Sequence, residues 1–220
     1  MRARGVSIAL PEGVEKSELC RLLAAFAIVG RIRTNAYKVS LVSAEGRAVK
    51  SSCGEWLRTR PISESRSDTL LILGPDDPRL VSYAPAFTRC LDESSRAARR
   101  LGVVGTGAFV AAEAGLLIGR EIATDWRYAT HFRERFPQIP VKQAKEGLIS
   151  RPGFLASDRG QFVTELALTM IEEDLGVGTA RTVRFLTTIN QLAAKHEELP
   201  VTIGAKGSGS IKSSCLRCKS

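Results

Sequence analysis

The chain has 220 residues, of which 44% are hydrophobic and 25% charged, and its formal net charge is +9 at pH 7. These proportions exclude bulk disorder and suit one large domain with a substantial buried core, and no apolar run approaches the ~20 residues that span a bilayer. The positive excess permits a polyanionic partner, but much of it is arginine spread along helical segments (Arg89, Arg96, Arg99, Arg100, Arg127, Arg133, Arg135, Arg181 and Arg184), with no aromatic-interleaved basic strip of the kind that binds single strands.

In chain order, short apolar runs alternate with amphipathic segments, the pattern of an α/β layered fold with a mainly parallel sheet. The basic start, Met1 to Gly5, precedes an apolar run at 6–10 that is too short, and too soon interrupted by Pro11, to be a signal peptide. A cytoplasmic location is therefore expected, and 6–10 reads as the first buried strand. Ser17 is the expected cap of the next helix, with Glu18 in its first turn at the positive end of the helix dipole. Leu19, Leu22, Leu23 and Phe26 form that helix's stripe, and Gly30 is its expected stop. Residues 37–43 predict the second strand, and Ala44-Glu45-Gly46 a turn into a return strand near 47–51.

Residues 69–73 predict a continuous apolar strand ending in Gly74-Pro75-Asp76. A helix is predicted over 85–100, carrying Phe87, Cys90, Leu91 and Ala98, followed by a strand at 101–104. That strand turns through Gly105-Thr106-Gly107 into a helix with Phe109, Ala112, Leu116 and Leu117. A brief strand near Ile122 leads to Asp125, the expected N-cap of a helix over 126–136 that Pro137 ends. Two short strands near 147–150 and 154–156 precede a helix over 160–175, with Phe162, Leu166, Met170 and Ile171, closed by Gly176. A last helix runs from about Thr179 to Lys195, before Pro200. The Gly-, Ser- and Lys-rich stretch 204–220 reads as a flexible tail or linker remnant, leaving 1–203 as the domain. Cys215 and Cys218 in that tail have CxxC spacing, without a second pair or a nearby histidine to complete a zinc site. With Cys20, Cys53 and Cys90 they make an odd, scattered set unlike a secreted disulfide framework, and neither metal nor cofactor is expected.

The stretch Val103-Val104-Gly105-Thr106-Gly107-Ala108-Phe109 carries the most chemistry. A strand turning tightly into a helix sets its turn residue over the carboxyl ends of the sheet, where open α/β folds bind ligands, and the helix end favours negative charge there. Many hydrolases and transferases put a nucleophile in that elbow. Gly105 has no side chain, and a bare glycine turn is also explained by backbone geometry alone.

Residues 105–117, followed by Ala123-Thr124-Asp125-Trp126-Arg127-Tyr128 and Glu172-Glu173-Asp174-Leu175-Gly176, resemble the amino-terminal domain of AraC-type transcriptional regulators. That domain belongs to the PfpI/ThiJ branch of the class I glutamine amidotransferase-like superfamily. Residues 68–74 and Ile8-Ala9-Leu10-Pro11 also fit, so the resemblance covers roughly Gly5 to Gln191. It implies a flavodoxin-like three-layer sandwich, a mainly parallel sheet with helices on both faces.

The departures from the family are as informative as the match. Enzymatic relatives carry Cys immediately before Thr-Gly-Ala-Phe, where this chain has Gly105; many have His before Trp, where this chain has Asp125. Their third strand commonly ends Pro-Gly-Gly; here Pro75 follows Gly74 and has no N–H to offer an oxyanion. Glu18 matches the carboxylate that sits beside the cysteine in those enzymes. Nucleophile and candidate base are therefore missing together, and they normally act as one unit. His131 and His196 read as surface or capping residues, and the Thr106 hydroxyl as a turn hydrogen bonder.

The resemblance thus implies no enzyme and a crevice for a small polar metabolite, lined by Glu18, Gly74, Asp76, Gly105, Thr106, Gly107, Asp125, Trp126, Arg127 and Ser157. It implies a ligand-sensing domain that forms a homodimer and touches DNA only through a helix-turn-helix module, which this chain is not expected to contain, and no membrane contact. Two other readings stay open here: a stand-alone PfpI/ThiJ-type enzyme (hydratase, glyoxalase-like or peptidase), and a purely structural dimerisation domain with a collapsed pocket.

Overall fold

The computed structural model describes residues 3–142 and 147–197. Its elements run β1 (Arg4–Ala9), α1 (Lys16–Ile32), β2 (Tyr37–Ser43), β3 (Val49–Lys50), β4 (Trp56–Leu57), β5 (Arg60–Pro61) and β6 (Thr69–Leu73). There follow α2 (Pro85–Ala97), β7 (Arg100–Val104), α3 (Gly107–Glu113), α4 (Ala129–Arg135), β8 (Leu148–Arg151), β9 (Phe154–Ser157), α5 (Gln161–Leu175) and α6 (Val177–Glu197).

Seven strands form one sheet in the order β5-β2-β1-β6-β7-β9-β8. Every pair is parallel except the β8–β9 hairpin. β6 and β7 are buried along their whole length, which is why 69–73 and 101–104 read as strands without a polar face. One core packs α1, α5 and α6 on one face; the other packs α2, α3 and α4 on the opposite face. This is the expected three-layer, flavodoxin-like sandwich. The chain leaves β1 toward β2 on one side and returns to β6 on the other, so the sheet's switch point lies between β1 and β6. Among the described residues no helix is long and apolar enough to cross a membrane.

Several expected details are corrected. Ser17 caps nothing: its hydroxyl donates to Glu15 Oε1 at 2.8 Å, and Glu15 occupies the N-cap position. Gly30 does not stop α1, which runs on to Ile32; the left-handed residue that helps turn the chain is Asn35. The return strand near 47–51 shrinks to β3, which pairs with β4 outside the main sheet. α2 ends at Ala97, and Arg100, expected on that helix, opens β7 instead. α3 ends at Glu113, and Leu116 and Leu117 lie in turns between Gly115 and Gly119, both at positive φ. Asp125 caps a single 3-10 turn, Trp126–Tyr128, which α4 continues. The stretch 204–220, with Cys215 and Cys218, lies outside the described residues.

Candidate functional site

β7 delivers Gly105 to the carboxyl edge of the sheet at φ +53°, and its N–H donates to the Ser157 carbonyl at 2.8 Å, tying the elbow to β9. A Cβ placed on Gly105 would meet nothing within 4 Å. Space alone therefore admits a side chain there; it is the left-handed backbone that favours glycine. The opposite holds at Gly74, where a Cβ would lie 2.2 Å from the Thr106 carbonyl carbon and 2.3 Å from the Gly107 nitrogen. The loop after β6 thus crosses the elbow backbone against backbone. Thr106 seals that crossing: its buried hydroxyl donates to the Pro75 carbonyl at 2.5 Å, and the Thr124 hydroxyl donates to the Gly105 carbonyl at 3.0 Å. The hydroxyl beside the elbow is thereby committed to the backbone.

Carboxylates gather around this turn. Glu18, buried on the first turn of α1, accepts the Gly160 N–H on both oxygens at 3.0 and 3.2 Å. Burial raises its pKa above the ordinary carboxylate range, only partly countered by that N–H and by Arg21 and Arg159. Asp125 is buried and accepts the Arg127 backbone N–H at 3.0 Å and its guanidinium at 2.7 Å. Arg127 reaches on to Asp76 at 3.3 Å and Glu15 at 3.6 Å, and its hydrogen bond to Asp125, with Asp76 adding to it, holds its pKa above the usual guanidinium value. Arg159 hydrogen-bonds Glu15 at 2.7 Å and lies 3.6 Å from Glu18 and 3.9 Å from Asp125. Asp158 beside it is buried, and burial raises its pKa too. Two guanidiniums thus cross-link carboxylates that would otherwise repel across the crevice.

The free space among Glu15, Glu18, Gly105, Thr106, Asp125 and Arg159 is about 10 Å³, enough for roughly one water. Of the residues expected here, Glu18, Gly74, Gly105, Thr106 and Asp125 line this space, while Asp76 and Arg127 close its rim by their ion pair. Gly107 is buried against the Ile72 carbonyl. Ser157 lies behind the elbow, fully buried, and its hydroxyl has no hydrogen-bond partner. Trp126 is 65% exposed. Sequence reasoning missed Glu15, Asp158 and Arg159. The strand-end argument that found Ser157 would have found the last two, which follow the carboxyl end of β9 directly. His131 stacks on Phe109 at 5.7 Å within the α3–α4 packing, and the side chain of His196 is not among those described.

Chemically, the arrangement offers a glycine at the nucleophile position and acids already occupied by arginines. No family-level sequence profile matches the chain. The HTH-type transcriptional regulator CdhR of Pseudomonas aeruginosa is 31% identical over 118 residues, 53% of this chain and 35% of that protein. An AraC family transcriptional regulator structure from Pseudomonas putida superposes with a TM-score of 0.74 at 20% identity, covering 84% of this chain and 99% of that one. A ThiJ/PfpI family protein from Pseudomonas syringae superposes with a TM-score of 0.71 at 17% identity, over 93% of this chain and 80% of the other. The chain spans less than half the length of the curated regulators it matches. In sequence the chain is thus similar to HTH-type transcriptional regulators, and in fold to AraC-family regulators and ThiJ/PfpI proteins.

Proposed function

We propose that this chain is a ligand-sensing regulatory domain that catalyses no reaction, with DNA read by a helix-turn-helix module of the kind its relatives' names declare. One observation carries this reading: at the elbow, the turn residue has no side chain and the neighbouring hydroxyl is spent on the Pro75 carbonyl. An acyl- or group-transfer step needs a nucleophile and a base within hydrogen-bond reach of one another, and Glu18 and Asp125 are instead engaged by Gly160 and Arg127. A homodimer accords with α6, whose outward side exposes Val177, Phe185 and Ile189, an apolar stripe of the kind a twofold partner covers.

The test is a melting-temperature screen of the purified chain against a library of small metabolites, beside hydratase, glyoxalase and peptidase assays. The reading expects at least one saturable stabiliser and no turnover above buffer. Turnover that disappears in Thr106→Val would replace it with an enzymatic role, and a screen without any stabiliser would leave a structural dimerisation domain.

A further inference from the structure

We infer that the ligand site of this domain lies not at the elbow but in the adjoining cavity over the ends of β1 and β2, and that it takes a small, neutral, mainly apolar molecule. This deepens the sensing reading and rests on it. The elbow crevice has room for about one water, whereas the cavity beside it measures about 250 Å³. It is walled by three loops that leave the carboxyl ends of β1, β2 and β6, and β1 and β6 flank the switch point of the sheet. That is where open α/β sheets bind ligands, and loops on a rigid sheet can vary without disturbing the core.

The lining fixes the class of ligand. Leu10, Val49 and Phe87 are buried in its floor, with Val81 and Tyr83 beside them. The charged groups and the Ser43 hydroxyl around it are engaged within the chain, and the buried Tyr83 hydroxyl, which has no partner, offers a single hydrogen bond to a neutral ligand. The Ser43 hydroxyl bonds Thr59 at 2.6 Å and accepts the Gly46 N–H at 3.1 Å. Glu12 accepts the Lys50 N–H at 3.0 Å, and Arg47 pairs with Glu45 at 2.9 Å. A charged ligand would have to break one of these pairings, whereas an apolar one needs only to displace water from apolar walls. Because ~150 Å³ of apolar cavity suffices for benzene, this one admits a substituted ring or a short chain.

The position also links occupancy to the elbow. The segment after β1 supplies Leu10 and Glu12 to the cavity and Glu15 to the crevice; the loop after β6 supplies Gly74 to the crevice and Val81 and Tyr83 to the cavity. These two loops are joined by Asp76 N–H to Gly13 carbonyl at 3.0 Å and Glu15 N–H to Gly74 carbonyl at 3.1 Å.

The experiment is an amide NMR titration of the chain with toluene, indole and benzoate, repeated on Ala48→Phe and Ala44→Leu, which add bulk to the cavity lining. Toluene and indole are expected to shift amides of residues 10–12, 43–49 and 81–87 along one saturable curve. At ten times Kd they should raise the melting temperature by about 3–6 °C. Benzoate should bind at least tenfold more weakly, and both variants should lose the response while keeping a native spectrum. Equal binding of benzoate would overturn the ligand class. Shifts centred on 74–76, 105–107 and 125–127 would overturn the location while leaving sensing intact. No saturable response to either neutral probe would overturn the cavity as a site, while the sensing reading stands or falls separately on the metabolite screen.

Discussion

Arg100 and Asp174 meet at the amino-terminal edge of the sheet, both side chains 1% exposed, with guanidinium-to-carboxylate distances of 2.9 and 3.1 Å. Asp174 also accepts from Arg99 at 2.8 Å and the Tyr37 hydroxyl at 2.9 Å, and lies 3.6 Å from Arg4. It is the node that binds α5 to β7, β1 and β2. Arg100 also pairs with Glu173 at 2.6 Å, so removing Asp174 leaves the buried guanidinium with that half-exposed carboxylate alone; breaking a buried pair costs about 3–5 kcal/mol. Asp174→Ala is therefore expected to lower the melting temperature by roughly 6–20 °C. Arg100→Met combined with Asp174→Leu should recover part of that loss, because the fully buried guanidinium goes with its carboxylate, while Arg4 and the Tyr37 hydroxyl still lose Asp174. A double variant less stable than Asp174→Ala would show that the pair is worth more than the desolvation it incurs.

Acid should act on the two ends of the sheet in opposite directions. Burial pulls the Asp174 pKa up, but Arg100, Arg99 and the Tyr37 hydroxyl hold it below the usual carboxylate value; Asp68 is held low by Arg99. Their folded values lie under the unfolded ones, so this stability is present above about pH 4 and is lost as pH falls through the folded values. Glu18 is shifted the other way by burial. Its contribution is whole below about pH 4 and is lost as pH rises through its raised folded value. Glu18→Gln keeps an acceptor for the Gly160 N–H without the buried charge. It should be more stable than the parent at pH 8, with the difference closing near pH 4; urea melts at both pH values measure this, and an equal gain at both would refute the assignment.

The two glycines of the elbow should respond differently to the same methyl group. Gly105→Ala meets open space and carries only the left-handed backbone penalty, about 1–2 kcal/mol. Gly74→Ala drives a Cβ to within 2.3 Å of three atoms of Thr106 and Gly107, two of them backbone. That clash must separate the β6 loop from the elbow, and Gly74→Ala should fail to yield a native chain at 25 °C. Comparable melting temperatures for the two variants would mean that the crossing is looser than the geometry gives.

The residues that define these effects were unequally legible in the sequence. β2 and β6 were predicted to the residue, because an apolar run bounded by turn residues is local information. Arg100 was not: a basic residue beside Arg99 and the end of α2 reads as solvated, and its partner lies 74 positions away. Gly105, Gly74 and Asp125 were found through the strand–turn–helix pattern and the family motif. Arg159 and Glu15 were missed because their role comes from meeting across 144 positions, and no periodicity reports that. The narrowness of the crevice was equally hidden. Glu18, Asp76 and Asp125 were visible in the sequence, but the pairing of Arg127 and Arg159 with them and with Glu15 was not.

Ser157 gives the last prediction. It was expected to line a ligand crevice, yet its hydroxyl is fully buried behind the elbow and has no hydrogen-bond partner. Only its backbone is used, accepting the Gly105 N–H at 2.8 Å. A buried unpaired hydroxyl costs about 1–3 kcal/mol of desolvation, and Ser157→Ala removes it while leaving the backbone bond and nearly all the packing. Ser157→Ala is therefore expected to raise the melting temperature by about 2–12 °C, with no change in the affinity of any stabilising metabolite. Destabilisation instead would reveal that the hydroxyl holds an ordered water, and the serine would then belong to a hydrated channel behind the elbow.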